Sequence, residues 1–174
     1  MKWYLYIIKH DQYYTLIGCV RKVSSKILIV EDEIIIAIDL KMRLENLGYY
    51  VSDIAVNGKD AINKTGENNP DLVLMDILLN GDIDGIETAQ QILKHYNIPI
   101  IYVTGSYDNS IYERAKLTEP SGFIKKPFDN IEIQKAIQTA IRSNQNKLLS
   151  SWCSIVKAFK NWIKKNNKIF IQFF

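Results

Sequence analysis

The chain has 174 residues, 47% of them apolar and 24% charged, a composition that excludes a disordered protein and fits one globular domain with extensions. The formal net charge is +3, but residues 1–25 carry +3, residues 26–146 carry −6 and residues 147–174 carry +6. An acidic middle between two basic ends indicates that the ends do something different from the middle.

Export and membrane insertion are not expected. The apolar run near the start is interrupted by Lys9, His10 and Asp11, and no small-residue cleavage pattern follows. No stretch approaches the roughly 18 apolar residues that a spanning helix needs. The two cysteines, Cys19 and Cys153, stand in no metal-ligand or CxxC spacing, so they are interpreted as thiols in a reducing cytosol. The predicted location is cytoplasmic.

Residues 1–25 form an extension whose structure the sequence leaves open. The segment KWYLYIIKHDQYYTLIGCV contains two aromatic-rich runs around a polar KHDQ turn, a pattern compatible with a hairpin. Two alternatives are a disordered segment and a segment translated from a start that the cell does not use.

From Lys26 onward, apolar runs alternate with helical patterns. The predicted strands are KILIV, YVSDIAV, DLVLMD, IPIIYVT and GFIKKPF. Five helices are predicted between and after these strands. The first, third and last have apolar residues at helical spacing, and the last begins at a cap, Asp129 or Asn130. The residues expected to face the core are Ala37, Leu40, Leu44 and Leu47 in the first helix, Ile86, Ala89 and Leu93 in the third, and Ile133, Ala136, Ile137 and Ala140 in the last.

Five strand–helix units over about 120 residues predict an α/β fold, an open and doubly wound parallel sheet with helices on both faces. Ligands of such sheets bind at the carboxyl ends of the strands, near a switch in strand order. The domain is therefore placed at residues 26–143, between the extension of residues 1–25 and a C-terminal segment, residues 144–174.

Polar residues of a particular kind follow four of the predicted strands. Glu31 and Asp32 follow the first, Asp76 ends the third, Thr104 ends the fourth, and Lys126 follows the fifth. If the strands are parallel, these side chains converge at one edge of the sheet. Clustered carboxylates repel one another unless a cation binds, and oxygen ligands suit Mg²⁺. An aspartate that stays ionised beside Mg²⁺ and a lysine can attack a phosphoryl group, so Asp76 is the predicted phosphoacceptor.

The motifs ILIVEDE, PDLVLMDILL, IDGIE, IPIIYVTG and GFIKKPF resemble the signature of the response-regulator receiver domain. The resemblance implies a five-stranded flavodoxin-like (βα)5 fold and phosphorylation of Asp76. It further implies Mg²⁺ as the cofactor, with Asp32 and Asp76 as ligands, Glu31 acting mainly through water and Leu78 contributing a backbone carbonyl. A histidine kinase or a phosphotransfer protein would be the phosphodonor.

The resemblance also implies how such a domain switches. Thr104 and Lys126 would contact the phosphoryl oxygens, Thr104 would move toward them, and Phe123 would turn inward. Because Phe123 has no hydroxyl group, its inward state would depend on packing alone; the alternative is an ordinary half-buried strand aromatic. The Lys126–Pro127 peptide bond would be cis.

This sequence departs from the common family pattern at three points. Asn80 stands where a proline is frequent, the NGDIDG loop is one residue longer than the commonest form, and Glu31 replaces the commoner aspartate. Leu78 has no polar side chain to orient a hydrolytic water, which favours slow autodephosphorylation.

The C-terminal segment has a helical pattern of its own. Lys157, Lys160, Lys164 and Lys165 lie largely away from an apolar stripe formed by Leu148, Trp152, Ile155, Phe159 and Trp162. Such a basic amphipathic helix can lie on an anionic membrane surface or in a partner's groove. Packing on its own domain or on a second copy, as in a homodimer, and a truncated or frameshifted remnant are the alternatives. No helix-turn-helix pattern follows, so no nucleic-acid partner is expected.

Two other functions compete with a phosphorylation switch. An aspartyl-phosphate phosphatase or phosphotransferase would need a general acid close after the nucleophile, and Leu78 stands there instead. A phosphorylation-independent interaction domain would not need Asp76, Thr104 and Lys126 together. The sequence therefore favours a non-enzymatic switch that catalyses only its own phosphorylation and dephosphorylation.

Overall fold

The structure is a computed structural model that describes residues 4–10, 13–20, 24–105 and 108–166. Within these ranges the chain forms strands and helices in the following order: β1 Tyr4–His10, β2 Tyr13–Val20, β3 Lys26–Val30, α1 Ile34–Asn46, β4 Tyr50–Ala55, α2 Gly58–Asn68, β5 Leu72–Asp76, α3 Gly85–His95, β6 Ile100–Thr104, α4 Asn109–Lys116, β7 Gly122–Lys125 and α5 Asn130–Asn166.

The N-terminal extension contains an antiparallel pair of strands. β1 and β2 form a two-stranded sheet whose register shifts between Tyr6 and Ile7, and this sheet is separate from the main one. The choice among the alternatives for residues 1–25 stays a prediction, because residues 1–3, 11–12 and 21–23, which include part of the expected turn, lie outside the described residues.

The main sheet has five parallel strands in the order β4-β3-β5-β6-β7. The predicted doubly wound, flavodoxin-like fold is thus confirmed. After β3 the chain first adds β4 on one side and then returns to place β5 on the other, so the strand order reverses between β3 and β5. This reversal puts the ends of β3 and β5 next to each other, at the place where such sheets bind ligands.

The central strands are apolar on both faces because helices cover both faces. In β5, Leu72 and Leu74 pack with α1 and α5, whereas Val73 and Met75 pack with α2, α3 and α4. Side chains of a strand alternate between faces, so a continuous apolar run can supply two cores at once. The two core clusters cover the faces of the sheet, so its polar residues lie at the carboxyl edge.

One predicted core position is wrong. In α3, Leu93 is exposed, whereas the neighbouring Ile92 is fully buried. The helix begins at Gly85 after a capping box formed by Asp84 and Glu87, and from there the inward face follows steps of three residues through Ile86, Ala89 and Ile92. The other predicted core residues are buried or half-buried.

The last helix does not stop at the predicted domain boundary. α5 is continuous over 37 residues, about 55 Å at the usual rise per residue, and its backbone has no break between residues 143 and 144. Asp129 caps its start by accepting a hydrogen bond from the Glu132 backbone N–H (2.7 Å). Among the residues of α5 whose burial is described, Ala140 is the last that is buried in the core, and those that follow it are half-buried or exposed.

Candidate functional site

The carboxyl edge of the sheet brings the predicted site residues together. Asp76 is the last residue of β5 and is only 6% exposed. Glu31 directly follows β3 and is buried, and Thr104 is the buried last residue of β6. Their convergence follows from the strand registers, which pair Met75 with Val30 and thereby set the ends of β3 and β5 side by side.

Lys126 connects the two buried carboxylates. Its ammonium group donates a hydrogen bond to Asp76 Oδ2 at 2.7 Å and another to Glu31 Oε2 at 2.6 Å. The lysine directly follows β7, and its backbone N–H donates to the Thr104 carbonyl oxygen (2.8 Å), which ties its position to β6. Because one cation lies between two carboxylates, it offsets only part of their combined negative charge.

The carboxylates of Glu31, Asp32 and Asp76 form an acidic cluster whose candidate ligand atoms all lie within 4.8 Å of one another. In this cluster Glu31 Oε1 is buried and has no hydrogen-bond partner. A buried oxygen without a partner is costly, and a hard divalent cation is the kind of group that would satisfy it. The residues present therefore fit Mg²⁺.

Burial changes the protonation of this cluster. It raises the pKa of Glu31 to about 7; the Lys126 hydrogen bond opposes the rise and the Asp76 charge adds to it. Burial alone would lower the pKa of Lys126, but the hydrogen bonds to Asp76 and Glu31 outweigh burial, so that pKa is raised. Near neutral pH the lysine is therefore charged, while Glu31, with a pKa of about 7, is protonated in part of the molecules.

The loop after β5 holds Asp76 from the other side. The Leu78 backbone N–H donates to Asp76 Oδ1 (3.1 Å), and the Leu78 side chain points outward, half exposed. At the start of α3, a Cβ atom on Gly85 would overlap the Asp76 carbonyl oxygen. The absence of a side chain at Gly85 is what lets α3 begin so close to the phosphoacceptor candidate.

Asn80 has a role in the site that was not predicted. Its side-chain amide donates a short hydrogen bond to Asp32 Oδ2. The sequence shows Asn80 only as a departure from a common proline, and that departure was the available signal. An amide at this position can orient a candidate metal ligand, which a proline could not do.

The predicted switch residues lie on neighbouring strands. The ring of Phe123 is half-buried, with its centroid 5.6 Å from that of Tyr102 and 4.7 Å from that of Tyr112 in α4. The Tyr102 hydroxyl is hydrogen-bonded to Thr118 (3.0 Å). Phe123 therefore lies between β6 and α4, and a change in its rotamer would alter its packing against both elements. The Lys126–Pro127 peptide bond next to this region is cis.

An exposed apolar surface adjoins the site. Ile34, Ile35, Ile38 and Met42 of α1 are between 48% and 80% exposed, and α1 begins two residues after Asp32. We name these four residues the α1 surface. This surface was not predicted, although the run EIIIAIDLKM has more apolar residues than the buried stripe of α1 requires.

Comparison with known proteins identifies the family. The model of the response regulator receiver domain matches residues 27–138, and the chain belongs to that family. The predicted family is confirmed: this part of the chain is a receiver domain of two-component response regulators. Receiver domains are phosphoacceptor switches that typically carry a phosphoaspartate and bind Mg²⁺, and they interact with histidine kinases or phosphotransfer proteins.

Two curated relatives are regulators. The chain is 31% identical over 124 residues to the phyllosphere-induced regulator PhyR of Methylorubrum extorquens, covering 71% of this chain and 46% of PhyR. It is 32% identical over 119 residues to the transcriptional regulatory protein PdtaR of Mycobacterium tuberculosis, covering 68% of this chain and 58% of PdtaR. The chain thus matches about half the length of these relatives.

Solved structures show the same fold. The signal receiver domain of a modulated diguanylate cyclase from Desulfovibrio desulfuricans G20 is 36% identical, with a TM-score of 0.69 over 72% of this chain and 99% of that one. A CheY-like receiver domain from Methanospirillum hungatei JF-1 is 25% identical, with a TM-score of 0.66 over 72% of this chain and 99% of that one. In both cases the similarity covers nearly all of the solved receiver domain.

Proposed function

We propose that this protein is a response regulator whose Asp76 accepts a phosphoryl group from a histidine kinase or a phosphotransfer protein. Phosphorylation would then switch its contacts with other proteins. One observation carries the proposal: the Asp76 carboxylate lies at the carboxyl edge of the sheet, 2.7 Å from the Lys126 ammonium and within the acidic cluster.

In the proposed reaction an Asp76 oxygen forms a bond to phosphorus while the bond from phosphorus to the donor's imidazole nitrogen breaks. The Leu78 backbone N–H donates to Asp76 Oδ1 and holds the carboxylate in place. The Lys126 ammonium group lies where negative charge on the transferred phosphoryl oxygens would develop. Such transfer depends mainly on positioning and on electrostatic stabilisation, which these contacts supply.

Glu31, Asp32, Asp76 and the Leu78 backbone carbonyl are the groups that would hold Mg²⁺. When bound, the cation would neutralise charge on the phosphoryl oxygens and relieve repulsion among the carboxylates. Asn80 would keep Asp32 oriented toward the cluster, because its amide already contacts that carboxylate in the structure.

The switch would run through Thr104 and Phe123. Thr104 ends β6 beside the site, and Phe123 contacts the aromatic rings of both Tyr102 and Tyr112. If Thr104 moves toward a phosphoryl group, the space that it leaves can favour the inward state of Phe123. Phosphorylation would then shift an existing equilibrium and change the surface near α4.

The α1 surface is the proposed docking site for the phosphodonor. Exposed apolar side chains on a helix fit an amphipathic helix of a partner, and this helix begins beside Asp32. A donor bound there would present its phosphohistidine toward the carboxyl edge of the sheet.

Phosphorylation with a small phosphodonor tests the central claim without a kinase. The protein is incubated with acetyl phosphate and Mg²⁺, and the label is measured by intact-mass spectrometry. Wild type should gain one phosphoryl group that hydroxylamine removes, whereas Asp76→Asn should gain none. Asp82→Asn, an equal change of charge at an exposed position of the same loop, should be labelled like wild type. Labelling of Asp76→Asn at the wild-type level would refute Asp76 as the acceptor.

A further inference from the structure

The far part of α5 has an apolar surface with no partner in the described residues. We name residues 147–166 the extension helix. Four of its apolar side chains, Leu148, Leu149, Ile155 and Val156, are between 45% and 58% exposed. A single exposed apolar residue needs no explanation, but four on one helix mark an interaction surface.

These exposed residues share one face of the helix. At about 3.6 residues per turn, Leu148 and Ile155 point in nearly the same direction, and so do Leu149 and Val156. In the sequence, Trp152, Phe159 and Trp162 fall at positions of the same stripe. The resulting apolar arc is about 140° wide, broader than the narrow seam typical of a two-stranded coiled coil.

The rest of the helix circumference is basic and polar. The chain has six lysines and no acidic residue from position 147 to position 174, and Glu132 is its last acid. Lys157 lies opposite Leu148 on the helix, and Ser154 is exposed beside it, with its hydroxyl donating to the Ser150 carbonyl oxygen (3.0 Å). The extension helix thus combines an apolar face with a polar face on which every charged side chain is a lysine.

We infer that the extension helix binds the surface of an anionic lipid bilayer. Its apolar face would enter the boundary between headgroups and acyl chains, while the lysines would contact anionic headgroups. The positions of tryptophan suit this boundary, where an amphipathic ring is favourable. None of the helices in the described ranges is long and apolar enough to cross a membrane, so the inferred contact is with the surface.

Charge disfavours the two other occupants. Two copies of the extension helix would bring lysines together without an acidic residue to pair with them, whereas dimeric coiled coils usually pair charges of opposite sign. Nucleic acid would satisfy the lysines but would leave the apolar face exposed. An anionic bilayer satisfies both faces at once.

Vesicle flotation with the full chain tests this inference. Wild type is mixed with phosphatidylcholine vesicles that contain about one third phosphatidylserine, and bound protein is measured after centrifugation. Wild type should float with these vesicles, and binding should fall at least tenfold on pure phosphatidylcholine and decrease as salt is raised. Asp82→Asn, a change at an exposed position of the loop after β5, should bind like wild type, because it lies outside the extension helix.

A pair of variants with equal charge separates the apolar contribution from the electrostatic one. Ile155→Glu and Ser154→Glu both add one negative charge at exposed neighbouring positions, but only Ile155→Glu interrupts the apolar face. Ile155→Glu should lose at least tenfold in binding, and Ser154→Glu only a few-fold. Circular dichroism checks that both variants keep their helix content.

Four results would overturn the inference. Wild type that does not float with the anionic vesicles would refute it, as would equal binding by the two glutamate variants. Self-association in sedimentation equilibrium that Ile155→Glu abolishes, without flotation, would assign the face to a second copy. Binding of a labelled duplex DNA in place of vesicles would assign the lysines to nucleic acid.

Discussion

At the scale of single residues, the function depends on how a few charges are held. Asp76 contacts Lys126, and Lys126 also contacts Glu31, so no charge in this group acts independently. Without a cation, the buried Glu31 Oε1 has no hydrogen-bond partner, which costs free energy. We therefore expect the protonation of Glu31 to affect the stability of the metal-free protein and its affinity for Mg²⁺.

Glu31 should make the metal-free protein less stable as the pH rises. Its pKa is about 7 in the folded state against an ordinary value of 4.5, so between these values the folded chain holds a proton that the unfolded chain releases. This stabilisation is fully present below about pH 4.5 and is lost as the pH rises through about 7. Urea unfolding in EDTA should show the decline in wild type but a flatter profile in Glu31→Gln. The exposed Glu33→Gln should behave like wild type, and an unchanged slope in Glu31→Gln would contradict the assignment.

Leu78 should make the phosphorylated state long-lived. Its half-exposed side chain lies beside Asp76 and has no polar group to orient a hydrolytic water. The phosphoryl group, followed by mass spectrometry after the donor is removed, should persist for minutes to hours. Leu78→Asn should shorten this lifetime, with the exposed Leu93→Asn as a control of equal chemistry away from the site. A wild-type half-life of seconds would contradict this prediction.

At the scale of elements, close approach between α3 and the end of β5 shapes the site. A side chain on Gly85 would overlap the Asp76 carbonyl oxygen, so α3 can begin where it does only with glycine there. The capping box of Asp84 and Glu87 then sets the direction of the helix. The loop between Asp76 and Gly85, which includes Leu78 and Asn80, is thus held at both ends by backbone contacts.

Gly85→Ala should test this packing. The added methyl group must displace backbone, so we expect a loss of about 1–3 kcal/mol in the free energy of unfolding and slower phosphorylation by acetyl phosphate. Gly122→Ala is the matched control, because its Cβ would meet only Ile101 at an ordinary distance of 4.0 Å. Equal losses in the two variants would contradict a specific role for the contact between residue 85 and the Asp76 carbonyl oxygen.

At the scale of the whole molecule, site and fold are coupled because the ligand set exists only when β3 and β5 are paired. Mg²⁺ at about ten times its dissociation constant should therefore stabilise the folded chain by about 1.4 kcal/mol. Chemical unfolding with and without Mg²⁺ measures this. Asp32→Asn should lose most of the gain, whereas Asp82→Asn, at an exposed loop position, should keep it. Equal stabilisation of both variants would place the cation elsewhere.

Much of the site could be predicted because the relevant signals are local. An apolar run that ends in a carboxylate shows where a buried strand reaches the edge of the sheet, and parallel pairing brings such ends together. The contact between Asn80 and Asp32 could not be predicted in this way, because it depends on the path of a loop. Likewise, a step of one residue between Ile92 and Leu93 decides which is buried, and apolar spacing alone does not resolve it.

The amino-acid sequence by itself determined the order of strands and helices, the family and the residues available for chemistry, because periodicity and strand-end polarity are properties of short stretches. Only the tertiary structure decided which atoms meet: Lys126 between Asp76 and Glu31, the partnerless Glu31 oxygen, the apolar surface of α1, and the continuity of α5 beyond the domain. The contacts of Lys126 join residues far apart in the chain, and their geometry is set by the packing of the sheet.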